Sequence, residues 1–64
     1  MGVAVFRVWY VENVGELEGL RLARERFFDI SASNPRAAHE VAKKAFRRLF
    51  GSIPQEFYIY QIGA

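Results

Sequence analysis

The chain contains no cysteine and one histidine. A disulfide framework, a thiolate nucleophile and a zinc ribbon are thereby excluded, and stability has to come from packing or from a partner chain. No apolar run approaches the roughly 20 residues of a membrane-spanning helix. No Gly-x-Gly-x-x-Gly or P-loop pattern is present, so a nucleotide cofactor has no evident cradle. The opening Met1-Gly2-Val3-Ala4 lacks the basic region of a secretory signal, which leads us to expect a soluble, intracellular and cytoplasmic protein. At 64 residues and 7.4 kDa a two-domain enzyme is excluded, and residues 1–64 read as a single small α/β domain. What is abundant is apolar surface: 52% of the residues are hydrophobic and 16% aromatic, too apolar for a disordered tail and enough for a thin core. In so small a chain, oligomerisation is a natural expectation.

Residues 3–11, Val-Ala-Val-Phe-Arg-Val-Trp-Tyr-Val, are nearly all β-branched or aromatic and predict a strand. Ala4, Phe6, Val8 and Tyr10 share one face. Arg7 lies on the other with Val5, Trp9 and Val11, so the first set is expected to face the core. Glu12 to Gly19 combines turn formers with three carboxylates and no cation, and reads as an exposed connection. Two readings stand for residues 16–25: the first half of a strand running from Leu20 to Ala32, or a short helix capped by Asn13. Gly19 would cost the helix about 1 kcal/mol, and a hairpin is preferred. Arg26 to Ser31 reads as a strand in either case.

Asn34 is a good N-cap, Pro35 suits the first helical position, and Gly51 follows the last turn, so the spacing predicts a helix over Pro35 to Phe50. Ala37, Ala38, Val41, Ala42, Ala45, Phe46 and Leu49 fill one continuous arc that is expected to pack on a sheet. The stretch from Glu56 to Ile62 alternates as a last strand, with Phe57 and Ile59 inward and Tyr58 and Tyr60 outward. The expected fold is α+β, a two-layer sandwich in which a three-stranded sheet, in the order β-β-α-β, carries one helix on one face. If the strands joined by the helix are parallel, a right-handed crossover is expected.

Two surfaces are candidates for function. The helix holds five cations, Arg36, Lys43, Lys44, Arg47 and Arg48, against one carboxylate, Glu40, a local charge of +4. Elsewhere four cations face six carboxylates, for −2, and the overall +2 conceals this segregation. Such a stripe can contact phosphates at helix spacing, although Glu40 could also pair with Lys43 and Lys44 on a merely solvated face. The second surface is the uncovered sheet face, expected to present Arg7, Trp9, Phe27, Tyr58 and Tyr60, either for stacking unpaired bases or for burial against a second copy. Catalytic groupings are nearly absent. His39 borders the apolar arc of the helix, while Asp29 and Ser31 point to the outer face of a strand with Ser33 following, so a triad is not expected. Glu12, Glu16 and Glu18 lack the spacing of a calcium loop. No catalytic residue, metal site, cofactor or small-molecule substrate is expected.

The order of elements, with Phe6-Arg7-Val8 in the first strand, Ile30-Ser31-Ala32-Ser33 leading into the helix cap and Gly51-Ser52 after it, resembles the small LX-type large-subunit ribosomal proteins of archaea. That resemblance implies engagement of ribosomal RNA. In that family a short basic stretch follows the Gly-Ser; here Ile53, Pro54, Gln55 and Glu56 stand in those places. The resulting expectation is a non-enzymatic binding module. RNA is its first expected partner, and a homodimer or protein adaptor that buries the aromatic sheet face is the alternative.

Overall fold

A computed structural model describes residues 2–64. Met1, part of the N-terminal reading above, lies outside the described residues. Strands β1 (Ala4–Leu17) and β2 (Leu20–Ala32) are followed by helix α1 (Pro35–Phe50) and strand β3 (Phe57–Gly63). The sheet order is β2-β1-β3, and β1 is antiparallel to both neighbours. The helix therefore connects two strands that run parallel to each other but are not adjacent, because β1 lies between them. The fold is α+β, an open three-stranded sheet plus one helix.

The alternation in β1 sets the buried face. Phe6, Val8 and Tyr10 are buried, while Arg7 and Trp9 between them are only half-buried. Opposite the buried residues stand Ile30 and Phe28 of β2 and Ile59 and Phe57 of β3. The helix closes this face with Ala38, Ala42 and Phe46, all fully buried. Alanine at two of these positions lets the helix axis come close, and Phe46 fills the space that remains. Its ring lies 5.2 Å from Tyr10, 5.3 Å from Phe28 and 5.2 Å from Phe57, so one side chain of the helix touches a ring on each of the three strands. The arc is narrower than its periodicity suggests. Val41 is 39% and Leu49 63% exposed, because a helix over only three strands leaves the arc's flank and its last turn uncovered.

The helix ends where its caps dictate. Asn34 Oδ1 accepts a hydrogen bond from the Ala37 N–H at 2.8 Å, satisfying one of the donors that a helix start leaves free. Gly51 takes φ = 79°, and its N–H donates to the Arg47 carbonyl at 2.9 Å. Arg47 and Arg48 in the last turn complement the negative end of the helix dipole.

The expected connection over Glu12 to Gly19 is corrected. β1 continues to Leu17 and β2 begins at Leu20, so only Glu18 and Gly19 form the turn, with φ of 50° and 83°. Positive φ at both central positions is what a tight two-residue hairpin needs to match the strand twist. No helix forms over residues 16–25. The turn formers Asn13, Val14 and Gly15 make a bulge instead: pairing passes from Asn13↔Ala23 to Gly15↔Leu22, leaving Val14 extra. The Gly15 N–H donates to Asn13 Oδ1 at 3.1 Å, and Gly15 takes φ = 134°. The extra residue reverses the facing of β1, so Leu17 joins Leu20 and Leu22 on the side that carries the helix.

β3 pairs with β1 only between Val5 and Tyr10. Beyond Tyr10 the β1–β2 hairpin continues alone, and the molecule measures 52 × 21 × 14 Å.

Candidate binding surfaces

On the uncovered face, register brings the expected residues into two rows across the sheet. In one row Trp9 is flanked by Phe27 of β2 and Tyr58 of β3; in the next, Arg7 is flanked by Asp29 and Tyr60. All five predicted residues of this face, Arg7, Trp9, Phe27, Tyr58 and Tyr60, thus share one surface. The Trp9 and Tyr58 rings lie 5.3 Å apart, and Phe27 is 57% exposed. With Phe27, Tyr58 and Tyr60 each about half exposed, at 150–250 Å² per ring the face offers roughly 300 Å² of aromatic surface. That is the size at which a surface patch on a monomer is often functional.

Asp29 has an electrostatic partner directly opposite it on the central strand. Arg7 donates to both of its carboxylate oxygens, from Nε to Oδ1 at 2.9 Å and from Nη2 to Oδ2 at 3.1 Å. The Arg7 guanidinium also lies over the Phe27 ring, 4.2 Å from its centre. The hydrogen bonds from Arg7 hold the Asp29 carboxyl below the ordinary carboxylate range, and the same contact raises the arginine. Arg7 is therefore neutralised in place, a planar bidentate pair that lysine could not make.

The helix stripe faces the other way, with the thickness of the sheet and of a helix about 10 Å across in between. Lys43 Nζ lies 3.2 Å from Glu40 Oε1, and this contact lowers the Glu40 carboxyl. Lys44, the other partner open to Glu40, is not paired with it. Among the described residues, Arg36, Lys44, Arg47 and Arg48 make no ion pair. Arg48 stands apart from the stripe, on the flank of the helix that carries Val41.

The remaining candidates do not assemble. His39 rests on the Phe57 ring, 5.5 Å between centres, on the helix-covered side, whereas Asp29 is bound to Arg7 on the open side. Glu12 is 3.8 Å from Arg26, while Glu16 lies farther along β1 and Glu18 in the turn. Among the described residues no group of three His, Asp or Glu side chains could hold a metal ion, and no helix is long and apolar enough to cross a membrane.

Sequence reasoning missed the hairpin's projection. Leu17 and Leu20 at its tip are 60% and 66% exposed, and Val14 and Leu22 are also exposed. From its root outward along the arm, Tyr10, Glu12, Arg21, Ala23, Phe50 and Pro54 are among the residues that line an open groove of about 630 Å³. Ile53, after the Gly51-Ser52 turn, packs against the cluster around Phe46. Comparison with protein-family models, curated proteins and solved structures finds no match to this chain.

Proposed function

We propose that the protein is a non-enzymatic nucleic-acid-binding module that holds the phosphate backbone of RNA along the outer face of α1. The observation that carries this reading is the separation of charge: Arg36, Lys44 and Arg47 are exposed and free of ion pairs among the described residues, with Lys43 beside them. In the sheet Arg7 pairs with Asp29 and Arg26 with Glu12, and Arg21 and Arg24 each stand opposite a carboxylate in the register, Glu16 and Glu12. Unpaired cations at helical spacing meet phosphates without first giving up a partner, and they release counterions from the nucleic acid on binding. The resemblance to LX-type ribosomal proteins supports RNA as the target, although the contact would run through the helix and not through the segment after Gly51-Ser52.

Reversing Lys43→Glu, Lys44→Glu and Arg47→Glu together is expected to abolish retention on heparin or RNA. At about 0.7 per phosphate contact on a single strand, it should flatten the logarithmic salt dependence of binding by roughly 2. Unchanged retention, with helical circular dichroism preserved, would overturn the reading.

A second reading concerns the open face alone. Its one central cation is engaged by Asp29, so it offers aromatic stacking with no free charge beside it to hold a phosphate. A protein surface, including that of a second copy, suits it better than a nucleic-acid strand does.

A further inference from the structure

We infer that the projecting hairpin is a dimerisation arm whose tip seats in the groove at the root of the same arm on a second copy. From Tyr10 to Leu17 the arm reaches roughly 23 Å at ~3.3 Å per residue, with no third strand and no helix over it. An isolated two-stranded ribbon is marginal in water, and this one exposes Leu17, Leu20 and Leu22 on a single side. The bulge at Val14 produces that alignment; without it Leu17 would point to the opposite face.

The occupant is a second copy because what the tip requires is present at the root. The groove there is walled by Tyr10, Phe50 and Pro54 and runs along the part of β1 that β3 leaves unpaired. The neighbouring Leu49 is 63% exposed. Tip and root lie at opposite ends of one arm. Two copies related by a two-fold axis through mid-arm therefore lay their arms antiparallel, and each tip reaches the other's root in a closed, self-complementary contact.

Charge selects the same arrangement. At the turn end Glu16 and Glu18 outnumber Arg21, which stands opposite Glu16, so the tip carries a net negative charge. Tip-to-tip pairing would set Glu16 and Glu18 against their own copies. The antiparallel arrangement parts the tips and brings each toward the unpaired Arg48 beside Leu49. Of the carboxylates at the root, Glu12 faces Arg26 at 3.8 Å and Glu56 accepts a hydrogen bond from the Tyr58 hydroxyl. The inference is independent of RNA binding: retention on heparin can fail while the dimer stands.

Light scattering at high micromolar concentration should give the mass of a dimer for the full chain and half that mass for Leu17→Asp with Leu20→Asp. Because the chain has no cysteine, Leu20→Cys with Leu49→Cys provides a second readout that does not depend on disrupting the arm. Mild oxidation should join these variants into covalent dimers, whereas Leu20→Cys alone should stay uncrosslinked because the tips are apart. A monomeric full chain overturns the inference. So does a dimer that survives both aspartates and is lost with Trp9→Ala and Tyr60→Ala, or efficient crosslinking through Leu20→Cys alone.

Discussion

The body of the molecule and its projecting hairpin are made from the same two strands and the same hydrogen-bonded ladder, yet one holds a core and the other holds none. Between Phe6 and Tyr10 the sheet has a third strand and a helix above it, and every inward side chain of β1 is buried. Past Tyr10 the alternation persists through Glu12 and, after the bulge, to Leu17, but nothing covers it. Alternation thus marks which side a residue faces, while burial depends on whether a second layer is present. This is why leucines of similar hydrophobicity to the core residues remain in water.

The largest test of that contrast is a matched pair of truncations. Phe46→Ala, which empties a site touching rings from all three strands, should cost about 3–5 kcal/mol, enough to unfold much of so small a domain. Leu22→Ala on the arm, measured in urea at dilutions that keep copies apart, should cost less than about 0.5 kcal/mol. Comparable losses at the two positions would mean that the arm is packed within its own chain.

A smaller effect is expected at the helix cap. Asn34→Ala removes the acceptor for the Ala37 N–H and should lower stability by about 1 kcal/mol, read as a shift of the urea midpoint with unchanged slope. The loss belongs to the body alone, so amide exchange in the arm should not change beyond the common global term.

The smallest effect is electrostatic and lies on the open face. Arg7 holds the Asp29 carboxyl down, so the folded state binds that proton more weakly than the unfolded chain does. The pair's contribution is complete above the ordinary carboxylate range and is lost as the pH falls through the lowered folded value. Partial solvent exposure keeps the contribution modest. In a carboxyl titration by NMR, the Asp29 midpoint should rise in Arg7→Ala toward the ordinary range; an unmoved midpoint would show that the two groups do not hold each other in solution.

How much of this was legible beforehand differs by element. Pro35 to Phe50 was readable to the residue because cap, first-turn proline and terminal glycine are local signals. The facing of Phe6, Val8, Tyr10, Tyr58 and Tyr60 followed from alternation alone. The turn was not readable: Glu-Gly is a weaker hairpin signal than Asn-Gly, and Asn13, Val14 and Gly15 look like turn residues while forming a bulge inside a continuous strand. The two rows of the open face could be collected by parity, but the partnership of Arg7 with Asp29 needed the register between strands.

The residue order by itself determined the helix, its ends, the segregation of charge onto it and the side to which most strand residues point, since these depend on neighbours a few positions apart. Only the tertiary structure decided that β1 is the central strand, that β3 stops at Tyr10, that Arg7 is neutralised by Asp29 and that the hairpin stands free. Those outcomes depend on which distant segments pair and over what length, and no local period or cap encodes that choice.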